Sequence, residues 1–181
     1  AEIAALNESR AFQLASMFKV PVLVSVMRRV DAGTLDLAER YALRESDKLI
    51  GSGVLSFLDE GLSPTLRDLL VLMIAFSDNT ATDRVLELVG GPDAVDADMQ
   101  DLGIEDIRLR HTTRDLLWAV FPSEKLALTE AEFLRIAHEE NLQRQDARVA
   151  PDAATNIGTP AALNRLLLMI ERGETASPAS T

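Results

Sequence analysis

The chain has no cysteine, which excludes a disulfide framework and a thiolate metal site. It has no apolar run of about 18 residues, so no stretch reads as a membrane-spanning helix. Basic residues are scarce: 18 Lys and Arg stand against 29 Asp and Glu, for a net charge of -11. With no basic stripe to follow a phosphate backbone, a nucleic-acid partner is excluded, and the acidity reads as a solvated surface. The only two histidines, His111 and His138, lie too far apart for a metal pair and read as exposed or capping residues. Repeats, heptads and a glycine-rich phosphate loop are all missing, so no cofactor is expected. No signal peptide is recognisable, and the first residues look like the middle of a strand rather than a natural start.

What is present suits a helical protein. The 181 residues are 47% hydrophobic with only 4% aromatics, enough for one or two compact layers around a core. Residues 2–6 alternate weakly and predict a leading edge strand. A helix follows from near Ser16 to about Asp31, with Phe18, Val22, Leu23, Val26 and Met27 covering more than one stripe. Gly51-Ser52-Gly53 breaks the chain ahead of a short helix at 54–58. Ser63-Pro64-Thr65 then caps a helix over 66–76, whose Leu66, Leu69, Leu70, Met73 and Ile74 recur as core positions. Helices are predicted over 80–89, from Pro92, and over 114–120 after Thr112-Thr113. Thr129 to Glu132 forms a capping box for a helix reaching about Glu140. Thr159-Pro160 opens the last helix, 161–171, and residues 175–181 read as a disordered tail.

Two short motifs carry chemistry. Ser16 and Lys19 stand three apart at the start of a buried helix, so both side chains project from one face near its N-terminal end. A serine hydroxyl needs a base within hydrogen-bond reach to become a nucleophile. An amine one turn away serves if burial or neighbouring positive charge lowers its pKa. The unpaired N–H groups of a helix N-terminus suit a developing oxyanion. On the order of one such Ser-x-x-Lys pair is expected by chance in a chain this long. Taken singly, Ser16 would read as a helix cap and Lys19 as a surface lysine. The second motif, Ser77-Asp78-Asn79, sits between two apolar helices, where Ser77 and Asn79 could also be mere caps.

With these motifs go Arg10-Ala11-Phe12, Val30-Asp31-Ala32-Gly33, Gly51 to Leu55, Leu66 to Leu70, Ser77 through Asp83 and Thr159-Pro160. On these residues the chain resembles the serine β-lactamase and penicillin-binding-protein superfamily, closest to its class A β-lactamase branch. The likeness runs from about Asn7 to Gly173, with a poorly matched segment from roughly Arg110 to Ala154. It implies a mainly α fold: the helical domain of the β-lactamase/DD-peptidase-like fold over 1–174, with at most a rudimentary strand. It implies an acyl-enzyme formed on Ser16, with Lys19 and Ser77 as the other catalytic residues and Asn79 binding substrate or positioning Lys19. Asp78 would point away and hold the loop. The substrate would be a β-lactam, a D-alanyl peptide or an ester, and the location periplasmic or secreted.

Two departures stand out. The family's K-[ST]-G motif occurs nowhere, which predicts a fragment whose exposed apolar face is covered by a complementing chain or by dimerisation. The E-x-x-x-N motif of class A enzymes, whose glutamate activates the deacylating water, is missing between Arg108 and Pro160. Asp115, Glu124, Glu130 and Glu132 read as capping or solvent-facing residues, and Trp118 and Phe121 as core. A non-hydrolytic penicillin-binding or sensor domain is the alternative from another class.

Overall fold

The computed structural model describes residues 6–120 and 155–177. Two compact units divide them: residues 6–35, 89–110 and 155–177 form the first, and 36–88 with 111–120 the second.

The first unit starts with β1 (Phe12–Gln13), passes through a 3-10 turn (Ala15–Phe18) and runs into α1 (Lys19–Asp31). After α4 (Pro92–Asp101) come β2 (Ile107–Arg108), β3 (Ile157–Gly158) and α6 (Pro160–Glu171). The strands form a three-stranded antiparallel sheet in the order β1-β3-β2, pairing Phe12 with Gly158 and Arg108 with Ile157. Strands of two residues are too short to show a period-2 pattern, which is why the sequence does not reveal them. The predicted leading strand falls on residues 2–5, outside those described, and on Leu6, which lies in a bend.

α1 is buried on more than one side, as its composition predicts. Phe18, Val22, Val24 and Val26 are core residues, while Leu23 and Met27 are half-buried. Its last turn carries Arg28 and Arg29, which pair with Asp98 of α4 at 3.4 and 2.6 Å. α6 begins as its sequence says: the Thr159 hydroxyl accepts from the Ala162 N–H, and Pro160 fills the first turn. Of the tail predicted over 175–181, residues 178–181 lie outside the described residues. Thr175 is buried, and the Ser177 hydroxyl donates to Asp31 at 2.7 Å. Asp31 lies 146 residues away in sequence, so no local pattern could announce this anchor.

The second unit holds α2 (Leu66–Ala75), α3 (Asn79–Val89, its last residue excepted) and α5 (Thr113–Val120). Thr65 and Asp68 close a capping box at the start of α2. Leu66, Leu69, Leu70 and Met73 are core, but Ile74, expected beside them, is 46% exposed. At about 100° per residue Ile74 points about 80° away from Leu66, at the edge of the stripe. The predicted short helix at 54–58 is a 3-10 turn, Leu55–Phe57. The helix predicted from Thr129 lies outside the described residues.

Candidate active site

Ser16 sits in the 3-10 turn, exposed, directly before α1. Lys19 is the first residue of α1 and only 2% exposed. The surface-lysine reading is thereby removed, since a lysine this buried is rare unless its position demands it. Ser16 is not a side-chain cap either; Leu14 and Phe18 occupy the cap positions. The turn is closed by Met17 N–H donating to the Leu14 carbonyl at 2.9 Å, and by the Lys19 N–H donating to the Ser16 and Met17 carbonyls. Ala15, immediately before the serine, adopts φ +44°. A residue with a Cβ occupies that left-handed region only when its surroundings hold it there. Pro21 is tolerated because a first-turn N–H has no intrahelical partner to lose.

Ser77-Asp78-Asn79 belongs to the second unit, at the junction of α2 and α3. Ser77 is half-buried with φ +54°. Asp78 is 1% exposed, and one carboxylate oxygen accepts from Val54 N–H at 2.7 Å and Leu55 N–H at 2.9 Å. Its other oxygen accepts from Ala81 N–H at 2.9 Å, capping α3. This is a loop-holding role, and Gly53 shows how tight it is. A Cβ there would lie 2.3 Å from the Asp78 carboxyl carbon, and Gly53 has φ +123°. Buried Asn79 joins the same loop: its N–H donates to the Ser52 carbonyl at 2.9 Å and its Nδ2 to the Ile50 carbonyl at 3.0 Å. At least one hydrogen of the Asn79 amide is thus committed to the loop.

Three polar residues escaped the sequence reading. Asp83 of α3 accepts from the N–H groups of Thr113 at 2.6 Å and Arg114 at 2.9 Å, capping α5. Burial pushes its carboxyl above the ordinary carboxylate value, against the pull of those donors. Thr155 and Asn156, in the first unit, are each 1% exposed. Their partners are far away in sequence, so no motif marks them.

Asp115 is exposed and accepts from Thr112 N–H and its hydroxyl at 3.0 and 2.8 Å, the capping role expected of it. His111 is half-buried. His138, Phe121, Glu124, Glu130 and Glu132 lie outside the described residues, as does the Trp118 side chain. Among the described residues no three His, Asp or Glu side chains gather as a metal site, and no helix is long and apolar enough to cross a membrane. A groove of about 630 Å³ along α6 is lined by Glu8, Arg165, Leu168 and Arg172 among others, and includes neither Ser16 nor Lys19.

Known proteins share this architecture. The extended-spectrum beta-lactamase PER-1 of Pseudomonas aeruginosa is 30% identical over 104 residues, 56% of this chain and 34% of that protein. The beta-lactamase of Sphaerobacter thermophilus DSM 20745 has the same fold over 99% of this chain and 56% of its own, with a TM-score of 0.75 and 34% identity. The structure of PBP-A matches over 96% of this chain and 52% of its own, with a TM-score of 0.71 and 25% identity. The chain thus spans about a third of the curated relative and about half of the solved ones. A sequence model of the beta-lactamase enzyme family matches residues 1–181. The Ser-x-x-Lys helix start, the loop locked by Ser-Asp-Asn and the mainly helical fold therefore have one explanation: this chain belongs to the beta-lactamase enzyme family.

Proposed function

We propose that this chain supplies the acylating serine of a serine hydrolase that opens a β-lactam or a related amide. Ser16 Oγ attacks the carbonyl carbon, the carbon–nitrogen bond breaks, and the proton leaving Oγ is delivered to the departing nitrogen. Lys19 is the base that first takes that proton. The observation carrying this reading is an exposed serine one turn before a lysine that is 2% exposed, at the start of α1. Taking the amine out of bulk water while leaving the hydroxyl accessible suits a nucleophile and its base. Ser77 as a second proton carrier, and Asn79 as a substrate ligand, rest on their motif.

Intact-protein mass spectrometry of the natural full-length protein with benzylpenicillin tests this. One equivalent should add to the wild type and none to Ser16→Ala, while Lys19→Ala should label roughly 10²- to 10⁴-fold more slowly. A label on Ser77, or undiminished labelling of Lys19→Ala, would overturn the assignment.

A second reading is favoured by one observation, the missing E-x-x-x-N between Arg108 and Pro160. On it the protein is a D-alanyl-peptidase or esterase of the same fold, or is acylated once as a sensor. Turnover of a simple ester beside a cephalosporin separates these. A complementing chain or a second copy belongs to the same proposal. Exposed Val71, Ile74 and Phe76 at α2 and Leu167 and Leu168 on α6 are the side chains it would cover. Light scattering would show a species larger than one chain.

A further inference from the structure

Ala15 is held in a strained conformation one residue before Ser16, and something must hold it. On its C-terminal side the 3-10 turn and α1 do so. On its N-terminal side there is only β1, two residues long, which pairs with β3. A ladder this short is weak by itself. Two further bonds reinforce it. Leu14 N–H donates to the Asn156 carbonyl at 2.9 Å, and the Gln13 side-chain Nε2 donates to the Thr155 hydroxyl at 3.0 Å. Leu14 is wedged in place as well, since a Cβ on Gly158 would come within 2.8 Å of its Cδ2.

The Thr155-Asn156 pair is itself fixed. Both residues are buried, and the Asn156 side-chain oxygen accepts from Arg110 N–H at 2.8 Å, where the chain leaves this unit. Gln13 by contrast is exposed. Its amide therefore ties a solvent-facing residue, three before the serine, to an anchored hydroxyl. A buried hydroxyl is costly to leave without a partner, so the bond adds to the hold that the strand has on Gln13.

We propose that Thr155, acting through the Gln13 amide, is a positioning residue for the Ser16 hydroxyl. The proposal rests on the reading of Ser16 as the acylated serine. Thr155 touches no reacting atom; it sets where β1 ends and hence where the turn carrying Ser16 begins. Errors of about 1 Å in such placement cost reaction rate rather than binding.

The test uses Thr155→Val, which keeps shape but loses the hydroxyl, Gln13→Leu, which loses the amide, their double variant, and Thr155→Ser. In the natural full-length protein, the limiting rate of acylation by benzylpenicillin should fall about 3- to 10-fold in each single variant. The apparent dissociation constant of the preceding complex should not move. The double variant should lose no more than either single one, because both remove one interaction. Thr155→Ser should restore the rate. Wild-type acylation in Thr155→Val and Gln13→Leu, or losses that multiply in the double variant, would overturn the proposal. If Thr155→Val does not fold, the exposed Gln13→Leu change carries the test. If the wild type is not acylated at all, the functional reading fails separately, and the hydrogen-exchange rate of the Met17 amide decides. It should rise about tenfold in Thr155→Val and Gln13→Leu but not in Thr155→Ser, with α6 amides unchanged; no rise would refute the positioning role.

Discussion

Asp78 has no part in the proposed chemistry, yet its carboxylate accepts three backbone N–H groups from two segments of chain. Removing it would leave three donors in a buried place without their acceptor. Asp78→Ala should cost about 3–5 kcal/mol in denaturant unfolding, the upper end for a single change. Gly53→Ala should also destabilise strongly, because the new Cβ meets Asp78 and φ is positive. Ser77 poses the opposite case, a strained residue that would be relaxed by losing its side chain. Ser77→Gly and Ser77→Ala both lack the hydroxyl, so a difference between them reports backbone strain. The glycine variant should be the more stable by about 1 kcal/mol in denaturant unfolding, and both should acylate more slowly than wild type.

At the scale of elements, two helices start on acidic caps that respond to pH in opposite directions. In α2 the exposed Asp68 carboxyl is pulled below its ordinary value by hydrogen bonds from the Thr65 hydroxyl and N–H. A depressed carboxyl contributes stability above its unfolded value and loses it as pH falls. Thr65→Ala, which removes the hydroxyl that accepts from Asp68 N–H, should cost about 1 kcal/mol near neutral pH. In α5 the cap comes from another helix: Asp83 is raised above 3.8, chiefly by burial. A raised carboxyl contributes stability below the unfolded value and loses it as pH rises through the folded one. The stability difference between wild type and Asp83→Asn should therefore favour wild type most near pH 3 and shrink toward pH 7. Thermal melts of the two proteins across that range check the sign, and a difference that grows with pH would contradict it.

For the whole molecule, the proposed acylation of Ser16 makes turnover depend on the fate of the acyl-enzyme. An acyl-enzyme ester is hydrolysed quickly only if a carboxylate holds a water against its carbonyl. The sequence between Arg108 and Pro160 has acidic residues but no E-x-x-x-N, and Asp115 is already engaged in capping. Lacking one positioned base typically costs roughly 10²- to 10⁴-fold, about 3–5 kcal/mol of barrier. Stopped-flow mixing of the natural full-length protein with a chromogenic cephalosporin should give a burst near one equivalent, then slow turnover. Fast hydrolysis without a burst would mean that a base has been overlooked, with Glu124 first to replace.

The features legible in the sequence are those decided by neighbours along the chain. Thr65 with Asp68, Thr112 with Asp115, and Thr159 with Pro160 open helices because a threonine hydroxyl reaches the N–H three residues on, and the aspartates reach the N–H three residues back. Ser16 and Lys19 are likewise one turn apart by helix geometry alone, and the motif tripeptide at 77–79 is recognisable wherever it folds. Tertiary structure decided what depends on distant partners. It buried Lys19, which a local pattern would leave on the surface, and exposed Ile74, which periodicity would bury. It gave Asp83 a helix to cap thirty residues away, and tied Ser177 to Asp31 and Thr155 to Gln13 across more than 140 residues each. It also made strands of residues too few to show alternation, since pairing with a partner, and not propensity, holds a two-residue strand in place.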